Sequence, residues 1–335
     1  VTAEMKVIAE ATDELAKNAA ERLGFGSWTS DWRRVTADPS VQIVDVMTPT
    51  YLHKDPAIDA LEHGKAVICE KPLASNERDA REMYEVAKRT GAKTLVGFNY
   101  RRTPAVTLAR QMIAKGELGR ISHVRSHFME DWGGPQFPLS WRFRPEQAGA
   151  GALADLGSHA IDMVRYLVGE PKEVCAAAEN FIPERMVPGG KTKEPSRVDD
   201  VTMTLMRLEG GAIAEVGASW IATGRKVQLD FEVQGSEGTI YLTLQFYSAR
   251  DPKEASGFRT IYFGPAHKYG ETLLFSSATM GTGYVDSVMN QMHDFLLALG
   301  GGEEYSPSFY DGWRVNRLIE AVLESSKKKA WVTVA

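Results

Sequence analysis

The chain has 335 residues, enough for about two domains of ordinary size. Its 39 Lys and Arg against 44 Asp and Glu leave a net charge of −5, so no general electrostatic pull toward nucleic acid or an anionic membrane exists. A 43% hydrophobic, 25% charged composition is that of a globular protein, with no run near the roughly 18 apolar residues of a membrane span. Two cysteines, Cys69 and Cys175, are too few for a disulfide framework or a structural zinc site, and no signal-peptide pattern opens the chain. The expectation is a soluble, cytoplasmic protein.

Strand and helix patterns alternate through the first hundred residues. The chain opens on Val1 and enters an apolar run at once, so it reads as starting inside a domain. Residues 5–10 read as a strand, and residues 13–23 as a helix stopped by Gly24. The β-branched run Ile43–Met47 is a second strand. A helix at 54–63 ends at Gly64. The run Ala66–Cys69 is a strand, followed by a helix over 76–89 and Gly91, then a strand over 93–98. Strands separated by such helices imply parallel βαβ units, whose ligands bind at the carboxyl ends of the strands. That places Glu10, Thr48-Pro49, Glu70-Lys71-Pro72 and Asn99-Tyr100-Arg101 at the ligand edge.

Beyond residue 120 the period changes to that of an antiparallel, half-buried sheet. The clearest strand is Val227 to Gln234, with Val227, Leu229, Phe231 and Val233 on one face and Gln228, Asp230, Glu232 and Gln234 on the other. The Pro-, Gly- and charge-rich segment 183–200 reads as a long surface loop. Residues 284–298 and 308–326 read as helices that pack back on the core.

The stretch Gly151–Gly169 carries the most chemistry. On a helix, Asp155, His159, Asp162 and Tyr166 form one polar stripe. A carboxylate four residues before a histidine can orient and charge an imidazole acting as general base; the same pair can also be a plain surface interaction or share a metal. No second ligand cluster supports a metal. Glycines at 149, 151 and 157 weaken the first turns and suggest close backbone approach to something. Lys71, fixed on extended backbone by Pro72, can donate to a substrate hydroxyl or sit solvated in a loop. Asp131, Trp132, Trp141 and Arg142 pair aromatic with polar groups, which suits a sugar and equally suits loop packing. His267, in a loop of its own, points to no chemistry by itself. Glu10 could hold a ribose hydroxyl or be solvated. Cys69 reads as packed rather than reactive.

Taken in order, Thr48-Pro49 with His53, Glu70-Lys71-Pro72, Gly97-Phe98-Asn99-Tyr100-Arg101 and Asp155-Leu-Gly-Ser-His159-Ala-Ile-Asp162 resemble the Gfo/Idh/MocA family of nicotinamide-dependent sugar and polyol oxidoreductases. Further stretches, Lys6–Glu10, Asn99–Ala105, Leu139–Phe143 and Phe258–His267, resemble members acting on anhydrosugars. The resemblance implies a Rossmann-type parallel domain followed by an open-faced antiparallel sheet domain, an α/β unit joined to an α+β unit. Its expected extents are 1–100 for cofactor binding, 101–310 for substrate and assembly, and 311–335 for a returning helix and tail. The family's N-terminal strand and glycine-rich turn are absent from these residues. It further implies a homo-oligomer, dimer or tetramer, formed through the sheet, and no nucleic-acid or membrane partner.

Carried over residue by residue, Lys71, Asp155 and His159 match the catalytic set. Glu10, Thr48, Pro49, His53, Glu70, Lys71, Pro72, Asn99, Trp141 and Arg142 are assigned to the cofactor. Lys71, Tyr100, Arg101, Asp131, Trp132, Asp155, His159 and His267 are assigned to the substrate. Glu10 implies NAD rather than NADP, because a carboxylate there repels a 2′-phosphate. The expected reaction is oxidation of a secondary hydroxyl on a sugar, anhydrosugar or inositol. Two alternatives stay open: glycoside cleavage by transient oxidation with retained NAD, and a non-enzymatic sugar or NAD sensor.

Overall fold

The computed structural model describes residues 3–245, 257–265, 272–276, 284–301 and 305–334. They fall into two compact units, one of residues 1–97 with 293–313 and the other of 98–292 with 314–335.

The first unit runs β1 (Val7–Ala9), α1 (Asp13–Leu23), β2 (Ser27–Thr29), α2 (Trp32–Ala37), β3 (Ile43–Val46), α3 (Lys54–Glu62), β4 (Ala66–Cys69), α4 (Glu77–Thr90) and β5 (Thr94–Val96). Capping sets the helix limits: Thr12 accepts from the Leu15 amide before α1, Asn76 from the Asp79 amide before α4, and Gly24 and Gly91 close them. The β2 strand and α2 were not anticipated; three residues of strand beside Gly24 and Gly26 leave no readable period. The strands are parallel, as expected, but in two sheets, β1–β2 and β3–β4–β5, because no described strand joins them. Burial on both faces explains the unbroken apolar run of β4.

The edge of β5 is covered from far along the chain. The Val96 amide donates to the Pro307 carbonyl at 3.0 Å, and the Phe309 amide to Thr94 Oγ1 at 3.1 Å. Lys93 Nζ donates to the Ala298 carbonyl at 2.7 Å. Residues 293–313 therefore pack with the first unit rather than staying within a 101–310 block.

The second unit holds α5 (Pro104–Ala114), β6 (Ile121–Met129), α6 (Pro145–Ala148), a π turn (Leu153–Gly157), α7 (Ser158–Leu167), β7 (Pro171–Glu179), β8 (Glu184–Met186), β9 (Lys193–Pro195), β10 (Val201–Leu208), β11 (Ile213–Ser219), β12 (Gln228–Gly235), β13 (Gly238–Gln245), β14 (Gly257–Pro265) and β15 (Thr272–Ser276). Helices α8 (Tyr284–Gly301) and α9 (Phe309–Lys328), each shared between the units, and β16 (Val332–Thr333) complete the chain.

One nine-stranded sheet, ordered β15-β14-β13-β12-β6-β11-β10-β7-β16, dominates this unit. Its neighbours run antiparallel except β6 and β11, which are parallel. Alternation decides the faces: Leu229, Phe231 and Val233 are buried, as are Thr202, Thr204, Met206 and Leu208, and the π turn lies on β6, β10 and β11, with α7 on β6 and β11. Val227 is not part of the stripe, since the strand begins at Gln228 and Val227 turns the chain with φ of 47°. The other face carries Met203 and Leu205 beside a charged patch of Arg125, His127, Glu215 and Glu232.

Segment 183–200 is no simple surface loop. It folds into the β8–β9 hairpin, and Arg185, Asp199 and Asp200 within it are buried. Among the described residues no helix is long and apolar enough to cross a membrane.

Candidate active site

In the first unit the candidate residues follow the carboxyl ends of parallel strands, where the turn backbone faces outward. Glu10 follows β1 and is exposed, its amide donating to the Thr29 carbonyl at 3.2 Å. Thr48 and Pro49 follow β3 and lead into a 3-10 turn, Thr50–Leu52. Glu70 follows β4; its amide donates to the Val46 carbonyl at 3.0 Å, and its Oε2 accepts from the Lys71 amide at 3.1 Å. Lys71 is half-buried and enters a cis peptide with Pro72.

His53 is spent on this architecture. Its Nε2 lies 2.8 Å from the Thr48 carbonyl and its Nδ1 3.2 Å from the Leu73 carbonyl, so the ring ties the turn after β3 to the turn after β4. Burial holds its pKa below the usual histidine value, against the opposing pull of those carbonyls. His53 thus positions Thr48, Pro49 and Pro72 from within.

In the second unit the expected helix over 151–168 is a π turn followed by α7. The wider turn contains Asp155, so the stripe deduced from α-helical spacing starts outside the α-helix. Its first glycine is required by close approach: a Cβ on Gly151 would lie 2.0 Å from the Asp199 carbonyl oxygen. The Gly151 amide donates to Asp199 Oδ1 at 2.7 Å and the Leu153 amide to Oδ2 at 2.8 Å. Burial raises the Asp199 carboxyl, and these amides oppose it.

His159 is 6% exposed and sits in an aromatic box. Tyr100 lies 4.7 Å away edge-on, Phe98 5.7 Å and Phe128 5.9 Å, centroid to centroid. These rings fix the plane of the imidazole at the start of α7, while Asp155 is half-buried in the π turn.

Arg101 does not stand open to a ligand. It is buried against Asp162, with Nε to Oδ2 at 2.8 Å and Nη2 to Oδ1 at 2.5 Å, and its guanidinium lies over Tyr166 at 4.7 Å. Asp162 is thereby enclosed and Tyr166 half-buried beneath the guanidinium, and Arg101 supports α7 rather than offering a free fork. Asn99 is also buried and donates to Ser287 Oγ at 2.7 Å in α8.

Asp131 pairs with Lys226 at 2.5 Å and accepts from the Gly224 amide at 3.0 Å; the ammonium holds its carboxyl below the usual range. Trp132 packs at 5.2 Å from Trp220 and 5.1 Å from Phe137, half-exposed. The Arg142 guanidinium stacks on Trp141 at 4.5 Å. His267 lies outside the described residues. Lys226, Arg185 and Trp220 escaped the sequence reading. No motif marks them; the adjacent acids Asp199-Asp200 before β10, passed over within the segment 183–200, are the one sequence feature that could have hinted at a buried cation. Among the described residues, no three His, Cys, Asp or Glu side chains gather as a metal site.

These surroundings fit a dinucleotide in part. An exposed carboxylate after β1 suits a ribose, and the turns after β3 and β4 offer a half-buried polar edge to a flat ring. No glycine-rich phosphate turn occurs before any of these strands.

Comparison with known proteins agrees with this architecture. Residues 2–98 match the oxidoreductase family with an NAD-binding Rossmann fold, and residues 106–241 match the GFO/IDH/MocA C-terminal domain. Levoglucosan dehydrogenase of Pseudarthrobacter phenanthrenivorans is 44% identical over 98% of this chain and 89% of that protein. The solved structure of levoglucosan dehydrogenase in complex with NADH and levoglucosan superposes with a TM-score of 0.91 at 40% identity, covering 99% of this chain and 90% of that one. An oxidoreductase domain protein from Kribbella flavida gives a TM-score of 0.91 at 32% identity, covering 99% and 91%. With the βαβ unit, the mixed sheet and likeness along nearly the whole length, the chain belongs to the Gfo/Idh/MocA family of NAD-binding oxidoreductases.

Proposed function

We propose that this protein is an NAD-dependent dehydrogenase that oxidises a secondary hydroxyl of a sugar or anhydrosugar, with levoglucosan the first substrate to test. The likeness to levoglucosan dehydrogenase across nearly the whole chain supports this reading most strongly.

His159 takes the hydroxyl proton as general base, and its aromatic box keeps the ring from turning away. Asp155 orients the imidazole and favours its charged form. Lys71 donates to the same oxygen and offsets the negative charge that grows there. Bound NAD supplies the acceptor for the hydride that leaves the carbon. Glu10 would hold the adenosine ribose and disfavour a 2′-phosphate, while Thr48, Pro49 and Glu70 would face the nicotinamide side. Asp131 and Trp132 would meet the sugar.

We read the outward face of β10 and β11 as the contact with a second copy. Met203, Leu205 and Ile213 lie exposed there beside interleaved charges of both signs.

The test is reduced-nicotinamide absorbance with NAD and a panel of levoglucosan, glucose and myo-inositol. A rise with one of them is expected. His159→Ala and Lys71→Ala should each lower kcat by about 10²- to 10⁴-fold with smaller effects on sugar binding. Wild-type turnover in both variants would refute the assignment. Cofactor that co-purifies, with no net reduced nicotinamide, would favour glycoside cleavage by transient oxidation.

A further inference from the structure

The segment that ends on Asp199 and Asp200 joins two working parts of the second unit. Asp199 anchors the amides that start the π turn carrying Asp155. Asp200, fully buried, accepts from Trp220 Nε1 at 2.7 Å and from the Phe181 and Ile182 amides at 2.8 and 2.7 Å. It also faces Arg185 Nη2 at 3.0 Å.

The Arg185 side chain is fully buried. Its Nη1 donates to the Gly134 carbonyl at 2.9 Å and its Nη2 to the Gly133 carbonyl at 2.8 Å, while the guanidinium lies 3.8 Å from the Phe143 centroid. A Cβ on Gly133 would fall 2.5 Å from Trp220 Cγ, so the loop backbone is pressed against the indole that Asp200 also holds. The Leu139 amide donates to the Met186 carbonyl at 2.7 Å, a second tie between loop and hairpin.

A buried ion pair is weak evidence for stability, since apolar packing often does as well. A planar fork gripping two consecutive carbonyls does something packing cannot: it fixes the direction of the backbone. The backbone so fixed directly follows Asp131 and Trp132.

We propose that Arg185, held by Asp200, is a positioning residue for the substrate: it sets the loop 130–143 so that Asp131 and Trp132 are presented to the sugar. This rests on the function proposed above.

The experiment compares wild type with Arg185→Met and Arg185→Lys. It measures kcat and KM for levoglucosan with NAD, levoglucosan binding by tryptophan fluorescence without cofactor, and Tm. Arg185→Met should raise both KM and Kd by about tenfold while kcat falls less than about threefold. Arg185→Lys should recover only part of this, because one ammonium cannot match the fork. A purely structural role would lower Tm and leave the KM of the folded fraction unchanged, and that result overturns the proposal. If Arg185→Met does not fold, a wild-type KM and Kd in Arg185→Lys overturns it instead. A wild type that neither binds nor oxidises any sugar of the panel overturns the functional reading and this proposal with it. That is distinct from a variant that binds as well as an active wild type.

Discussion

At the scale of single residues, the candidate side chains divide into those that face outward and those that hold others in place. Glu10 is exposed, and Lys71 and Asp155 are half-buried at turns. Arg101, His53 and Asn99 are buried and committed to protein partners. The buried His53 gives a pH prediction. Its folded pKa lies below the ordinary histidine value, so the unfolded chain binds the proton first as pH falls. Its contribution is present above the unfolded pKa of about 6.5 and is lost as pH falls through the folded value. The unfolding free energy from denaturant melts between about pH 7.5 and 5.5 should fall more steeply in wild type than in His53→Gln, by at most about 1.4 kcal/mol per pH unit. Equal slopes would show that His53 does not titrate differently in the two states.

At the scale of elements, the π turn before α7 depends on one contact. Gly151 admits the Asp199 carbonyl where any Cβ would collide with it. Gly151→Ala must push the turn away from Asp199 and weaken two short amide–carboxylate bonds. A stability loss of about 2 kcal/mol or more is expected in denaturant melts, with a lower kcat because Asp155 moves with the turn. A variant as stable and active as wild type would mean that the turn relaxes freely. The glycine cost visible in the sequence is therefore explained by tertiary approach, not by a need for local flexibility.

At the scale of the whole molecule, the nine-stranded sheet buries one face under the π turn and α7 and leaves the other with Leu205 at 47% and Ile213 at 49% exposure. If this face joins two copies, Leu205→Glu should bury an unpaired charge in each half of the interface and reduce the assembled mass seen by light scattering. An unchanged mass, or a monomeric wild type, would refute that interface. The first unit recruits residues 293–313 to cap β5, so it is built from two separate stretches of the chain.

Local rules determined much of this. Periodicity set the β1–α1 and β3–α3–β4–α4–β5 alternation and the strand read from Val227, whose first residue the structure moves to Gln228, because each pattern repeats over a few neighbouring residues. The ordered short motifs pointed to the family, because each stands at a strand end or helix start whose position local pattern already fixes. What remained to the tertiary structure depends on residues far apart in sequence. No local pattern reveals that Arg101 is consumed by Asp162, that Arg185 reaches Gly133 and Gly134, or that Pro307 completes the edge of β5. A side chain's sequence neighbours tell which face it takes; only the packed chain decides whether a partner waits there, because burial turns an exposed charge into one that must be paired.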